Sequence, residues 1–259
     1  MGRRGVQLAS MRENRVKAKL NRGEVSIVLS GHMTPDVVDS LGPLGFDGVW
    51  IEGEHGPVDY KDIPDLTRAA DIWGMTSVVR VNQNVPGVIY RTLDVGAQGI
   101  VVPHVNTKEE AEAVVQAGKF APIGERGMYG SRQSYGVDNY FAEANDQSLL
   151  VVLIEDIVAV NNLDEILTVD HIDVFFVAPS DLAQSMGLIG QLDHPDVVAT
   201  INGALDKIAA AGRNPGSLAS DDNVEAYIGR GVKFMMTGWP AWVTSGAQAF
   251  QAKVANALS

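Results

Sequence analysis

Cysteine is absent from all 259 residues, so neither a disulfide framework nor a thiolate metal site can form. That usage fits a reducing compartment. Positive charge is scarce: 20 Lys+Arg face 32 Asp+Glu, for a formal net charge of -12. A surface of that sign repels nucleic acid and anionic membranes, so neither is an expected partner. No apolar run approaches the roughly 18 residues that a membrane-spanning helix needs. Met1-Gly2-Arg3-Arg4-Gly5-Val6 is basic, but no apolar stretch follows it, and Arg12, Arg15, Lys17 and Lys19 continue the charge. No signal peptide is expected, and a soluble cytoplasmic protein is the resulting expectation. A G-x-G-x-x-G turn after the first strand and a Walker loop are also missing, which removes the two commonest nucleotide-binding signatures.

What is present is alternation. Short β-rich runs at 25–30, 48–52, 77–81, 99–103, 149–155, 174–178, 215–219 and 234–237 are separated by helical stretches. The helices are expected at 35–41, 60–72, 86–95, 108–117, 160–168, 195–211, 222–229 and 241–258, with a further helix at 11–21 before the first strand. Thr107 reads as an N-cap, with Glu109 and Glu110 in the first turn where the helix dipole favours acids. Pro86 and Pro195 suit first-turn positions, and Gly118, Gly212 and Gly231 suit helix ends. The strands are continuous Val/Ile/Phe runs, as in parallel sheets covered on both faces. Eight strand–helix units in one domain of residues 1–259 predict a (β/α)8 barrel. The longest gap, 120–147, holds Gly124-Glu125-Arg126-Gly127 and Arg132, and a loop of that length is expected to be functional or part of an interface.

Chemistry gathers where the strands end. Trp50-Ile51-Glu52-Gly53-Glu54-His55-Gly56-Pro57 turns from apolar to charged within two residues. Arg80 ends the third strand, Glu155 the fifth, and Asp181 follows the sixth. In a (β/α)8 barrel these positions share one mouth. Glu155 and Asp181 lie on neighbouring strands and read either as joint ligands of a hard divalent ion or as capping acids. His55 stands beside Glu52 and Glu54, which can fix its tautomer and raise its basicity, as a general base requires. Arg80 reads as an oxyanion stabiliser or as an ion-pair partner of those glutamates. His32, His104, His171 and His194 are expected to be structural, although His104, after Val101-Val102-Pro103, can line the mouth. The eight lysines fall on helices, loops or strand starts, which argues against a Schiff base. The loops after the last two strands, Ser220-Asp221-Asp222 and Gly238-Trp239-Pro240, offer no phosphate cradle, so a phosphorylated substrate is not expected.

Several segments together resemble the class II, metal-dependent pyruvate aldolases, the family of 4-hydroxy-2-oxo-heptanedioate aldolase and 2-dehydro-3-deoxyglucarate aldolase. They are Glu52-Gly53-Glu54-His55-Gly56-Pro57, Val79-Arg80, Leu93-Asp94-Val95-Gly96-Ala97, Val102-Pro103, Gly124-Glu125-Arg126-Gly127, Ile154-Glu155 and Pro179-Ser180-Asp181-Leu182-Ala183. The resemblance implies reversible aldol cleavage of a 4-hydroxy-2-oxo acid to pyruvate and an aldehyde, through an enolate stabilised by Mg2+, Mn2+ or Co2+. By the same resemblance Glu155 and Asp181 hold the ion and Arg80 stabilises the enolate oxygen. His55 and Glu52 belong to the base position, with a metal-bound water as the other candidate base, and Leu153, Ala178, Pro179, Ser180 and Leu218 surround the keto acid. Asp94 is implied to pair with His55 of a neighbouring subunit, in a homohexamer built as a trimer of dimers with the last helix exchanged about Trp239-Pro240. Two residues depart from the family pattern. Leu153 stands where Gln is usual, and Glu52 where Asp is usual. The stretch 128–136 also differs and leaves the aldehyde unassigned, with Arg126 and Arg132 as ligands for an acidic tail or as interface residues. The alternatives are a lyase of the malyl-CoA or citrate lyase kind, or a binding protein that has lost catalysis.

Overall fold

The structure, a computed structural model, describes residues 10–258; the basic segment Met1–Val6 lies outside the described residues. Eight parallel strands close on themselves in sequence order. They are β1 (Ser26–Ser30), β2 (Gly48–Glu52), β3 (Thr76–Arg80), β4 (Gly99–Val102), β5 (Leu149–Ile154), β6 (Val174–Val177), β7 (Pro215–Leu218) and β8 (Phe234–Gly238). β8 pairs with β1 from Ser26↔Phe234 to Ser30↔Gly238 and completes the barrel. The expected fold is therefore present.

The helices follow the expected order with four differences. The first, α1 (Arg15–Asn21), starts four residues late, because the Asn14 side chain accepts the Lys17 N–H and caps it. Next come α2 (Pro35–Leu41), α3 (Ile63–Ile72), α4 (Pro86–Asp94) and α5 (Lys108–Gly118), the last opened by a complete capping box between Thr107 and Glu110. Inside the long 120–147 gap lies an unforeseen helix, α6 (Tyr140–Gln147). The helix expected at 160–168 is instead two short ones, α7 (Ile157–Asn161) and α8 (Leu163–Ile166), which meet at Asn162. A further short helix, α9 (Pro179–Ser185), follows β6 directly, with Pro179 at its start. The outer layer ends with α10 (Pro195–Ala210), α11 (Val224–Gly229) and α12 (Trp239–Leu258).

Side-chain alternation along the strands sorts the core into two layers. On β5, Leu149, Val151 and Leu153 point into the barrel, whereas Leu150, Val152 and Ile154 face the helices. Trp50, Val78, Val101, Phe176 and Phe234 also fill the barrel interior. The Trp50 and Phe176 rings lie 5.5 Å apart, and Phe176 meets Phe234 edge-on at 6.1 Å. Burying side chains of this size contributes about 1.5–3 kcal/mol each. Val16 and Leu20 of α1 join this inner cluster and close the bottom of the barrel. Glu52, Arg80 and Glu155 continue the inward parity of Trp50, Val78 and Leu153, so the same alternation that fills the barrel aims all three at its open top.

One element stands apart. None of the twenty residues of α12 is buried, and Trp242, Val243, Phe250, Val254 and Leu258 are exposed. The strand-to-helix switch falls at Gly238 and Trp239, with no loop between them.

Candidate active site

The β2–β3 ladder places Glu52 opposite Arg80. Arg80 Nε donates to Glu52 Oε1 at 3.0 Å and Oε2 at 2.8 Å, and its Nη1 lies 3.1 Å from Glu54 Oε2. Glu52 also accepts the N–H groups of Glu54 (2.8 Å) and His55 (3.0 Å) on Oε1 and the indole N–H of Trp50 on Oε2 at 3.2 Å. The tight turn needs its glycines. A Cβ on Gly53 would lie 2.6 Å from the Arg80 carbonyl oxygen, and one on Gly56 would lie 2.7 Å from that of Glu52. Burial acts to raise the Glu52 pKa, but the His55 N–H, the Arg80 charge and hydrogen bond and the Glu54 N–H outweigh it, so the carboxyl sits below its ordinary range.

Glu155 follows β5 directly and is 3% exposed. Its Oε1 accepts the backbone N–H of His104 at 2.7 Å, and His104 Nδ1 lies 3.3 Å from the same oxygen. Burial pushes the Glu155 carboxyl above its ordinary range. The His104 N–H and ring oppose that push, while the negative charges of Asp181 and Glu54 add to it. Asp181, in the first turn of α9, is half-buried. Two carboxylates therefore converge with more negative charge than the chain itself neutralises, and hard oxygen donors of this kind suit Mg2+ or Mn2+. Among the described residues no cluster of three or more His, Cys, Asp or Glu forms a metal cage. The pair fits a site that leaves most positions to water and substrate.

Beside it lies a cavity of about 260 Å³, lined by Glu52, Arg80, Leu153, Ala178, Pro179, Ser180, Asp181 and Leu218, together with Ser30, Trp50, Phe176 and Met236. The sequence-predicted residues Arg80, Glu52, Leu153, Ala178, Pro179, Ser180, Asp181 and Leu218 are thus brought together. His55 is at the rim: its ring is 70% exposed, with Nε2 3.9 Å from Glu54 Oε2, and it does not line the cavity. Asp94 lies elsewhere. It ends α4 at the bottom of the barrel, where it accepts from Arg126 Nη2 at 2.6 Å. Arg126 stacks on Phe120 at 4.5 Å, and Arg132 donates to Asp71 at 2.6 Å. Both arginines are buried in ion pairs of the 120–147 segment, far from the mouth of their own barrel.

One residue has a role that its strand position alone does not announce: the Trp50 indole N–H holds Glu52, and its ring lies under Arg80 at 6.0 Å. His104, expected to be structural or to line the mouth from its place just after β4, contacts Glu155, and its Nε2 is 3.8 Å from Glu54 Oε1.

A (β/α)8 barrel with an arginine–glutamate cluster and a carboxylate pair at the C-terminal ends of its strands has the layout of a barrel enzyme acting on a small oxygenated substrate. Comparison with known proteins narrows the class. The description of the HpcH/HpaI aldolase/citrate lyase family matches residues 26–242. The chain is 38% identical over 200 residues to a hydroxypyruvate/pyruvate aldolase of Roseobacter denitrificans, covering 75% of this chain and 78% of that one. It is 36% identical over 232 residues to a 4-hydroxy-2-oxovalerate aldolase of Novosphingobium aromaticivorans, covering 87% and 88%. The crystal structure of an HpcH/HpaI aldolase/citrate lyase family protein from Burkholderia cenocepacia J2315 superposes with a TM-score of 0.87 at 27% identity, over 93% of this chain and 99% of that one. The chain belongs to the HpcH/HpaI aldolase/citrate lyase family of carbon–carbon lyases.

Proposed function

We propose that the protein is a class II aldolase that cleaves a 4-hydroxy-2-oxo acid reversibly to pyruvate and an aldehyde. The observation that carries this reading is that Arg80 and Asp181 line one cavity at the barrel mouth and that buried Glu155 lies close enough to Asp181 to feel its charge. Glu155 and Asp181 hold a divalent cation, Mg2+, Mn2+ or Co2+. When bound, the ion supplies Lewis acidity toward the 2-oxo and carboxylate oxygens of the substrate.

The remaining steps belong to the chain. Glu52 fixes the Arg80 guanidinium through Nε, and Arg80 lines the cavity, where its charge meets the oxygen that gains charge as the enolate forms. His55 takes the proton from the 4-hydroxyl, the C3–C4 bond breaks, and the aldehyde departs. The enolate is then protonated at C3 to give pyruvate. Glu54, between His55 and Arg80, orients the imidazole. Leu153, buried at the cavity floor with Trp50 and Phe176, excludes water from the pyruvate methyl end. Pro179 and Ser180 place backbone at the start of α9 beside the substrate carboxylate, and Ala178 and Leu218 bound it sterically.

Assembly is part of the same reading. The exposed apolar side chains of α12, among them Val243, Phe250 and Val254, support its exchange with a second copy of the chain, because contiguous apolar surface of this kind favours a partner. Asp94 reaches the His55 of a neighbouring subunit in a hexamer, arranged as a trimer of dimers. The resident compartment is the cytoplasm. A direct test incubates the pure protein with pyruvate, a divalent ion and a panel of aldehydes and identifies the adducts by mass spectrometry. Ion-dependent adducts are expected, and their absence across the panel overturns the reading.

A further inference from the structure

His104 is not a glycine, yet its backbone is left-handed, with φ of 54°. Such a conformation is strained for most L-residues and persists where its surroundings hold it. Here it turns the chain sharply after β4, and the His104 N–H points at Glu155 Oε1 across 2.7 Å. Glu155 is 3% exposed, whereas the His104 side chain is 68% exposed. The hydrogen bond that reaches Oε1 comes from the backbone, while the imidazole, largely exposed, brings only Nδ1 to within 3.3 Å of the same oxygen. One carboxylate oxygen is thereby committed to the protein, and Oε2 is left for another partner. We infer that His104 is a positioning residue, whose left-handed backbone presets Glu155 to offer a single oxygen to a divalent cation. The inference rests on the ion site proposed above and specifies what holds one of its ligands.

Substitutions separate the backbone from the ring. Asn tolerates a left-handed backbone and keeps the N–H, so His104→Asn removes only the imidazole. Val is β-branched and resists that region, so His104→Val drives the backbone out and withdraws the N–H from Glu155. The test is calorimetric titration of Mn2+ into the purified full-length chain without substrate, with thermal unfolding measured in parallel. His104→Asn is expected to bind within about threefold of the unsubstituted protein. His104→Val should bind about 10–100-fold more weakly, as when a group that orients a metal ligand is lost. If His104→Val does not fold, His104→Ala takes its place and should fall between the two. Val or Ala binding as tightly as the unsubstituted chain overturns the inference. Asn binding as weakly as Val also overturns it, because the ring would then be the operative group. No binding by the unsubstituted chain is a different outcome: it removes the ion site itself.

Discussion

Glu52 and Arg80 face each other across the β2–β3 ladder, and both carboxylate oxygens accept from the single Nε–H at 3.0 and 2.8 Å. With Nη1 held 3.1 Å from Glu54, this geometry fixes the plane of the guanidinium where it lines the cavity. A lysine at the same position has no such plane, because its ammonium is a point charge without a fixed fork.

The pair has a pH signature. The Glu52 carboxyl is held below its ordinary range despite partial burial, so the folded chain keeps it charged where the unfolded chain takes up a proton. The stabilisation is present above the ordinary value of 4.5 and disappears as pH falls through the lower folded value. Glu52→Gln should therefore flatten the acid limb of stability, read by circular dichroism in denaturant at pH 3 to 6. An acid limb as steep as that of the unsubstituted protein would mean that the contact contributes nothing to stability.

Arg80→Lys should reduce turnover by about 100-fold, the usual loss when one oxyanion donor is removed. Exchange of the pyruvate C3 protons with deuterium should fall in parallel, since it reports enolate formation without any aldehyde. Exchange at the original rate would assign Arg80 to structure alone.

The barrel was legible because continuous apolar strands and capped helices recur eight times, and each cue is local. The strand ends were legible for the same reason: Glu52, Arg80, Glu155 and Asp181 each follow an apolar run. The break at Asn162 and the short α9 were not, because helices of four to seven residues carry too few turns for a periodic signal. The place of His104 at the mouth was legible, but its contact with Glu155 was not, because it comes through a backbone N–H in a left-handed turn, which residue type does not encode. Arg126 and Arg132 read as ligands for an acidic tail or as interface residues, and residue type could not show that packing pairs them with Asp94 and Asp71.

Glu155→Ala and Asp181→Ala should each abolish divalent-ion binding and aldolase activity while leaving the fold intact, because only a ligand at the barrel mouth is lost. Calorimetry with Mn2+ and a thermal melt check both halves. Full activity after exhaustive chelation would remove the ion from the mechanism.

Lys119 tests the bottom of the barrel. Its ammonium is buried and donates to the carbonyls of Asn145 and Ser148 at 2.7 and 2.6 Å. Burial pushes its pKa down to about 7, with the Asp173 charge opposing the shift and Lys17 adding to it. The unfolded chain then binds more protons than the folded one between about 7 and the ordinary 10.5, so stability should rise with pH across that window. The limit is about 1.4 kcal/mol per pH unit for one group. Below pH 7 both states are protonated and the contribution is flat. Lys119→Met should lose this rise, measured by urea unfolding at pH 7, 8 and 9; identical slopes in both proteins would return Lys119 to an ordinary pKa.

Asp94 supplies the test of assembly. It ends α4 at the bottom of its own barrel, whereas His55 lies at the top, so the proposed pairing of the two requires a subunit interface. The choice of substitution matters. Asp94 neutralises Arg126, whose side chain is 2% exposed, and alanine there would strand a buried cation at a cost of about 3–5 kcal/mol. Asp94→Asn keeps an oxygen for Arg126 and removes the carboxylate from His55. Asp94→Asn and His55→Ala are each expected to be nearly inactive alone. Mixed after native mass spectrometry confirms subunit exchange, they should recover part of the activity, since some interfaces then join an intact Asp94 to an intact His55. Mixed oligomers that stay inactive would confine Asp94 to its ion pair with Arg126.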